Sequence, residues 1–136
     1  MTTDTPDAPP FRARVGSYYW QVPHMGQALR FVRDGLGFRL RHELCACRVP
    51  TPTEDELVAH TWLEFEAGIS IFVQIVEGIE ARELGIGVEV DNCDRAYATL
   101  QARGLAVLEP PCPIAAGARG FDLSDPFGNT WFVFGP

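Results

Sequence analysis

"RGFDLSDPFGNTWFVFGP", residues 119–136, decides how this chain is read. Two hydrophobic stretches flank an acidic turn, Asp125-Pro126-Phe127-Gly128-Asn129. Pro126 restricts the backbone, Gly128 relaxes it, and Asn129 can cap the turn before the last stretch. The segment therefore predicts a terminal pair of strands. Whether it merely closes a sheet or also walls a ligand pocket depends on what precedes it.

Working backwards, Pro110, Pro111 and Pro113 mark an irregular segment after a strand in "LAVLEPP" (105–111). "DNCDRAYATLQARG" (91–104) predicts a helix. Asp91 or Asn92 can cap its start, Ala96, Tyr97 and Leu100 supply a buried face, and Gly104 can end it. "GIGVEV" (85–90) is the strand before it.

The first half has the same order. "VGSYYWQV" (15–22) is a strand rich in aromatic and β-branched residues. In 25–38, Met25, Leu29, Val32 and Leu36 fall at helical spacing, widened by Ala28 and Phe31, until Gly35 and Gly37 stop the helix. Residues 38–49 alternate as a strand, and "PTPTEDELVAH" (50–60) predicts a loop. "TWLEFEA" (61–67) and "SIFVQIVE" (70–77) then form a hairpin at Gly68. Each half is strand–helix–strand–strand–strand. The expected fold class is α+β, with paired βαβββ modules at about 13–80 and 84–136 forming a cupped mixed sheet in one domain, 13–136, behind a flexible leader at 1–12.

Composition bounds the function. The 136 residues, 46% hydrophobic and 21% charged, suit one hydrophobic core. A net charge of -7, with Arg30, Arg33, Arg39, Arg41 and His42 interleaved with acids, argues against a nucleic-acid partner. No apolar run is long enough to span a membrane. Cys45 and Cys47 have strand-face spacing, and Cys93 and Cys112 stand apart, so free thiols in a reducing, cytoplasmic setting are expected.

Four segments together resemble the vicinal oxygen chelate superfamily, that is, the glyoxalase, bleomycin resistance protein and dioxygenase fold. They are "ALRFVRDGLGF" within 22–38, "VEVDNCDRAYATLQARG", the Gly117-x-Arg119 pair and "DPFGNTW". The resemblance implies a cavity formed by cupped sheets, commonly in a homodimer, and members that are either metal enzymes or metal-free antibiotic-sequestering proteins. Its metal enzymes carry His on the first strand of each module and Glu or His on a last strand. Carried over, those positions fall near Ser17, Gly85, Gln74 and Phe132. Residues 15–22 and 84–88 contain no His, Asp or Glu, so no metal site and no cofactor are expected.

The candidates left for chemistry are His24, His42, His60, Glu64, Glu66 and Glu89. Glu64 and Glu66 share a strand face with Trp62, which either looks into the cavity or faces solvent. Tyr19, Phe72, Trp131 and Phe132 lie on strands that the resemblance assigns to the cavity, although the chain's aromatics must also build its core. Arg119 either pins a loop by pairing with Asp122 or Asp125 or points to an anionic group on a ligand, and the resemblance favours the structural role. The expected ligand-binding set is Tyr19, Trp62, Glu64, Glu66, Phe72, Gln74, Trp131 and Phe132, with catalytic residues unassigned. The leading expectation is a metal-free binding protein that sequesters a small, partly aromatic, cationic compound such as an antibiotic. The alternative is a metal-independent lyase, isomerase or cyclase using Glu64, Glu66, Tyr19 or His60.

Overall fold

The computed structural model describes residues 10–41 and 53–136. His42, Cys45, Cys47, residues 1–9 of the expected leader and most of the expected strand 38–49 lie outside the described residues.

Alternation along the strands builds two sheets. In the first, β1 (Ser17–Val22), β2 (Arg39–Leu40), β3 (Trp62–Glu66) and β4 (Ser70–Ile75) take the order β1-β4-β3-β2. β1 and β4 run parallel, and the other pairs are antiparallel. In the second, β5 (Glu83–Glu89), β6 (Ala106–Val107), β8 (Ala118–Ser124) and β9 (Thr130–Gly135) repeat that plan as β5-β9-β8-β6. Again only the first and last strands are parallel. The expected α+β fold with its paired modules is present.

The two-fold strand period assigns each sheet one buried face. Trp20, Val22, Leu63, Phe65, Ile71 and Val73 are buried in the first sheet, and Phe121, Leu123, Trp131 and Val133 in the second. Each large apolar side chain so buried contributes about 1.5–3 kcal/mol before entropy is counted. A helix covers each sheet. α1 (Met25–Leu29) presents Met25, Ala28 and Leu29, and α3 (Cys93–Ala102) presents Cys93 and Leu100. Asn92 caps α3 by accepting from the Arg95 N–H at 2.9 Å. None of the described helices is long and apolar enough to cross a membrane.

Three local expectations are corrected. The helix expected over 25–36 changes after Leu29 into a π-helical segment, Arg30–Gly35, closed by Leu36 N–H to Phe31 C=O at 2.9 Å. The widened turn lets Phe31, Val32 and Gly35 all face the core. A Cβ on Gly35 would stand 2.9 Å from Leu105 Cδ2, so the missing side chain seats the second module. Secondly, the expected loop at 50–60 contains α2 (Glu54–Val58). Thr53 accepts from the Glu56 N–H at 3.2 Å, its hydroxyl donates to the Glu56 carboxylate, and the acids of the first turn suit the helix dipole. Thirdly, the segment after Pro110 contains β7 (Cys112–Ala115), an exposed edge strand on β8 that tolerates Pro113.

The modules share one core. Trp20 of β1 meets Trp131 of β9 edge to face, with ring centroids 5.0 Å apart, and Phe31 lies 5.0 Å from Trp131. Tyr18 Oη donates to Leu84 O at 2.9 Å, and Arg103 Nη1 donates to Gly35 O at 2.6 Å.

Candidate functional site

Most of the expected site residues lie on the face of each sheet turned away from the core. Strand register sets the first sheet's outward side chains in three rows: Ser17, Ser70 and Glu66; Tyr19, Phe72 and Glu64; Gln21, Gln74 and Trp62. The middle and last rows make an aromatic tier. Tyr19 stacks on Phe72 at 5.0 Å and 18° between planes, and Trp62 tilts against Phe72 at 5.9 Å. Tyr19 nevertheless remains 56% exposed. Of the expected set, Tyr19, Trp62, Glu64, Glu66, Phe72 and Gln74 are brought onto this one face.

The two acids differ. Glu64 is only 4% exposed and accepts from Ser70 Oγ at 2.5 Å, with Arg41 Nε 3.9 Å away. Glu66 is bound by Arg41 Nη1 at 3.0 Å and by the Gly68 N–H at 2.9 Å. One guanidinium thus serves both carboxylates, so about half of their charge is answered by an internal cation.

The second sheet repeats the design with one difference. Its middle outward row is Gly87, Phe132 and Asp122, the counterpart of Tyr19, Phe72 and Glu64. Each module therefore sets a phenylalanine beside a carboxylate from its third strand. The Asp122 side chain is exposed, and its carboxylate makes no ion pair or hydrogen bond among the described residues. Gly87 leaves room where the first module has Tyr19, and a depression of about 280 Å³ lies there, lined by Gly85, Gly87, Asp122, Phe132 and Glu83. Phe132 stacks on Phe134 at 6.0 Å, and its ring lies over Gly120, where a Cβ would collide with it.

Asp122 lies on this outward face, although the sequence reading offers it only as a partner for Arg119. The legible signal was alternation: Asp122 stands between buried Phe121 and Leu123, which puts it on the side opposite the core. Arg119 pairs instead with Asp94 at 3.1 Å and donates to Pro111 O at 3.0 Å. It does pin a loop, but from the other end.

Trp131 is corrected as well. It is fully buried, because neighbours on a strand point to opposite faces and Phe132 takes the outward one. Its indole N–H donates to Asp125 Oδ2 at 3.0 Å. Asp125, 4% exposed, also accepts from the N–H groups of Phe127 and Asn129 and from Asn129 Nδ2, each at 2.9 Å. Asn129 Oδ1 in turn accepts from Arg82 N–H at 2.7 Å. The acidic turn is a structural clasp, and its carboxylate is spent internally.

The remaining candidates fall elsewhere. His24 caps α1 by accepting from Gln27 N–H at 3.3 Å, and His60 Nδ1 lies 2.7 Å from Glu56 O at the end of α2. Glu89 is exposed on β5, in the same outward row as Phe134 and Gly120. Cys93 is buried and Cys112 exposed, both free, and burial pushes the Cys93 thiol up, with Asp94 adding to the effect.

A divalent ion does not fit the positions that metal enzymes of this fold use. By register the match to Phe132 on β4 is Phe72 rather than Gln74, since Tyr19 faces Phe72 as Gly87 faces Phe132. Ser17, Phe72, Gly85 and Phe132 offer one hydroxyl between them. Among the described residues there is no group of three or more His, Cys, Asp or Glu able to hold an ion.

Residues 14–133 match the model of the Glyoxalase/Bleomycin resistance protein/Dioxygenase superfamily. A solved member of that superfamily from Sphaerobacter thermophilus is 24% identical, with a TM-score of 0.70 over 92% of this chain and 98% of the other. A putative glyoxalase family protein from Bacillus anthracis is 17% identical, with a TM-score of 0.69 over 94% and 98%. A glyoxalase/bleomycin resistance protein from Streptomyces is 24% identical, with a TM-score of 0.56 over 88% and 98%. None of the curated proteins compared with the chain matches it.

Proposed function

This chain belongs to the Glyoxalase/Bleomycin resistance protein/Dioxygenase superfamily, and we propose that it acts there as a metal-free binding protein. It sequesters a small, partly aromatic, cationic compound such as an antibiotic. The observation that carries this reading is the tier of Tyr19, Phe72 and Trp62 standing open on a sheet face. Flat rings so placed stack on a planar ligand or hold a cation over their faces. The positions that would supply metal ligands in an enzyme of the fold are filled by groups that bind no metal.

Charge preference comes from the second module in this reading. Glu64 and Glu66 already share Arg41, whereas Asp122 stands unpaired beside Phe132. A second copy of the chain completes the groove by setting one module's outward face opposite the other's, so the binding unit is a homodimer.

Calorimetry with a series of cationic aromatic compounds and their neutral isosteres tests the proposal, with light scattering reporting the mass. A two-chain particle that favours the cations is expected. Asp122→Asn should weaken binding of the cations by about two- to fivefold, as an exposed charge pair would, and leave the isosteres unchanged. Preference for neutral or anionic compounds in the wild type would refute the reading.

Glu64 supports a second reading, a metal-independent lyase, isomerase or cyclase. It is a buried carboxylate on the ligand-facing side, opposite Phe72 in the strand register and hydrogen-bonded to the Ser70 hydroxyl. A general base needs such a group within hydrogen-bond reach of the substrate proton. Glu64→Gln would then abolish turnover, by about 100-fold or more, while retaining binding. Slow turnover that survives this substitution would remove Glu64 from the chemistry.

A further inference from the structure

A separate cleft of about 360 Å³ lies on the helix side of the molecule, at the seam between the modules, away from the outward sheet faces. Gln27, Arg30 and Phe31 come from the first module, and Arg103 and Leu105 from the connection between α3 and β6. The end of β8 closes it with Ser124, Asp125 and Pro126.

Two arginines line this cleft in a protein of net charge -7. Arg33, Arg41 and Arg119 are each ion-paired. Arg30 and Arg103 make no direct ion pair among the described residues, Arg30 acting on Asp34 only at longer range, and both line the same cavity. Arg103 is held by its single bond from Nη1 to Gly35 O at 2.6 Å, which leaves its other N–H groups without an internal acceptor. The one acid in the lining, Asp125, has both carboxylate oxygens committed to the four N–H groups of its turn. Ser124 Oγ donates to Asp125 O at 3.2 Å, and its oxygen can still accept. Beside these donors lie the apolar surfaces of Leu105, Pro126 and the edge of buried Phe31.

We propose that this cleft is a binding site for a small organic anion: a carboxylate or phosphate monoester on a flat apolar body. The planar guanidinium groups of Arg30 and Arg103 take the anionic head by charge-assisted hydrogen bonds, a geometry for which arginine is better suited than lysine. The apolar body lies against Leu105 and Pro126. Its volume falls within the usual range of small-molecule sites. The ligand spans both modules, so occupancy raises the melting temperature by mass action.

Phenyl phosphate tests the assignment, with inorganic phosphate and phenol as controls, by calorimetry and by amide chemical shifts on the full chain. Phenyl phosphate should bind more tightly than either control, shift the amides of Gln27 and Leu105, and weaken as salt is added. Arg30→Ala should weaken it roughly tenfold, and because Arg30 makes no direct ion pair and acts on Asp34 only at longer range the variant's own melting temperature should fall little. Arg103→Lys, which keeps the bond to Gly35 within reach but loses the fork, should also weaken it. No binding by the wild type would overturn the proposal. So would affinity unchanged in both variants, or shifts confined to Tyr19, Phe72 and Phe132. Failure here leaves the cation-binding face untouched, since the two sites share no residue.

Discussion

Asp125→Ala is expected to lower the stability of the fold by about 3–5 kcal/mol in chemical denaturation, among the largest single-residue effects in the chain. The carboxylate is buried and answers four donors: two backbone N–H groups, the Asn129 amide and the Trp131 indole. Its removal leaves those donors without acceptors in a place water does not easily reach, and each orphaned group costs about 1–3 kcal/mol before relaxation. It also frees the turn that sets the register between β8 and β9. Asp125→Asn keeps Oδ1 for the two backbone donors but places an amide against the indole and Asn129 Nδ2. Roughly half the loss should remain. A midpoint for Asp125→Ala within 1 kcal/mol of wild type would show that water or a repacked turn replaces the clasp.

Trp20→Ala should cost about 3–5 kcal/mol, the range for deleting a large aromatic from a core that relaxes only in part. Trp20 is fully buried and touches three rings, Phe31, Phe127 and Trp131, two of them in the other module. The loss should therefore appear in both modules at once, as one cooperative transition by far-UV and near-UV signals. Because the Trp20–Trp131 contact is an edge-to-face pair at 5.0 Å, a double-mutant cycle should return a coupling of about 0.5–1.5 kcal/mol. Strict additivity, or two separate transitions, would mean that the modules hold together through backbone and polar contacts instead.

Much of this architecture is written in short-range patterns. Asn92 and Gly104 bound α3, Gly68 turns the hairpin, and the period-two alternation of 61–67 and 70–77 marks β3 and β4. What escaped was also local in part. The Thr53-x-x-Glu56 capping box announces α2, but the neighbouring prolines drew the segment towards a loop. β7 escaped because prolines are poor strand formers except on an edge, and edge status belongs to the assembled sheet.

The candidate site divides the same way. Alternation by itself determined that Tyr19 shares a side with Ser17 and Gln21, and that Trp62, Glu64 and Glu66 share another. The residue list alone determined that 15–22 and 84–88 hold no His, Asp or Glu, whereas the match of Phe72 to Phe132 needed the strand register. Which side of each strand meets the core, and which is turned away from it, was decided only by tertiary structure. A strand's period is a property of its own backbone, whereas burial depends on helices and strands that are distant in sequence. Hence Trp131 belongs to the core, Asp122 joins the outward face, and Glu64 is buried where Glu66 is not, although only Phe65 separates them. The acidic turn from which the reading began likewise needed its neighbours: only the buried Trp131 indole and the Arg82 N–H turn Asp125 and Asn129 from a loop signature into the clasp that holds the last strand.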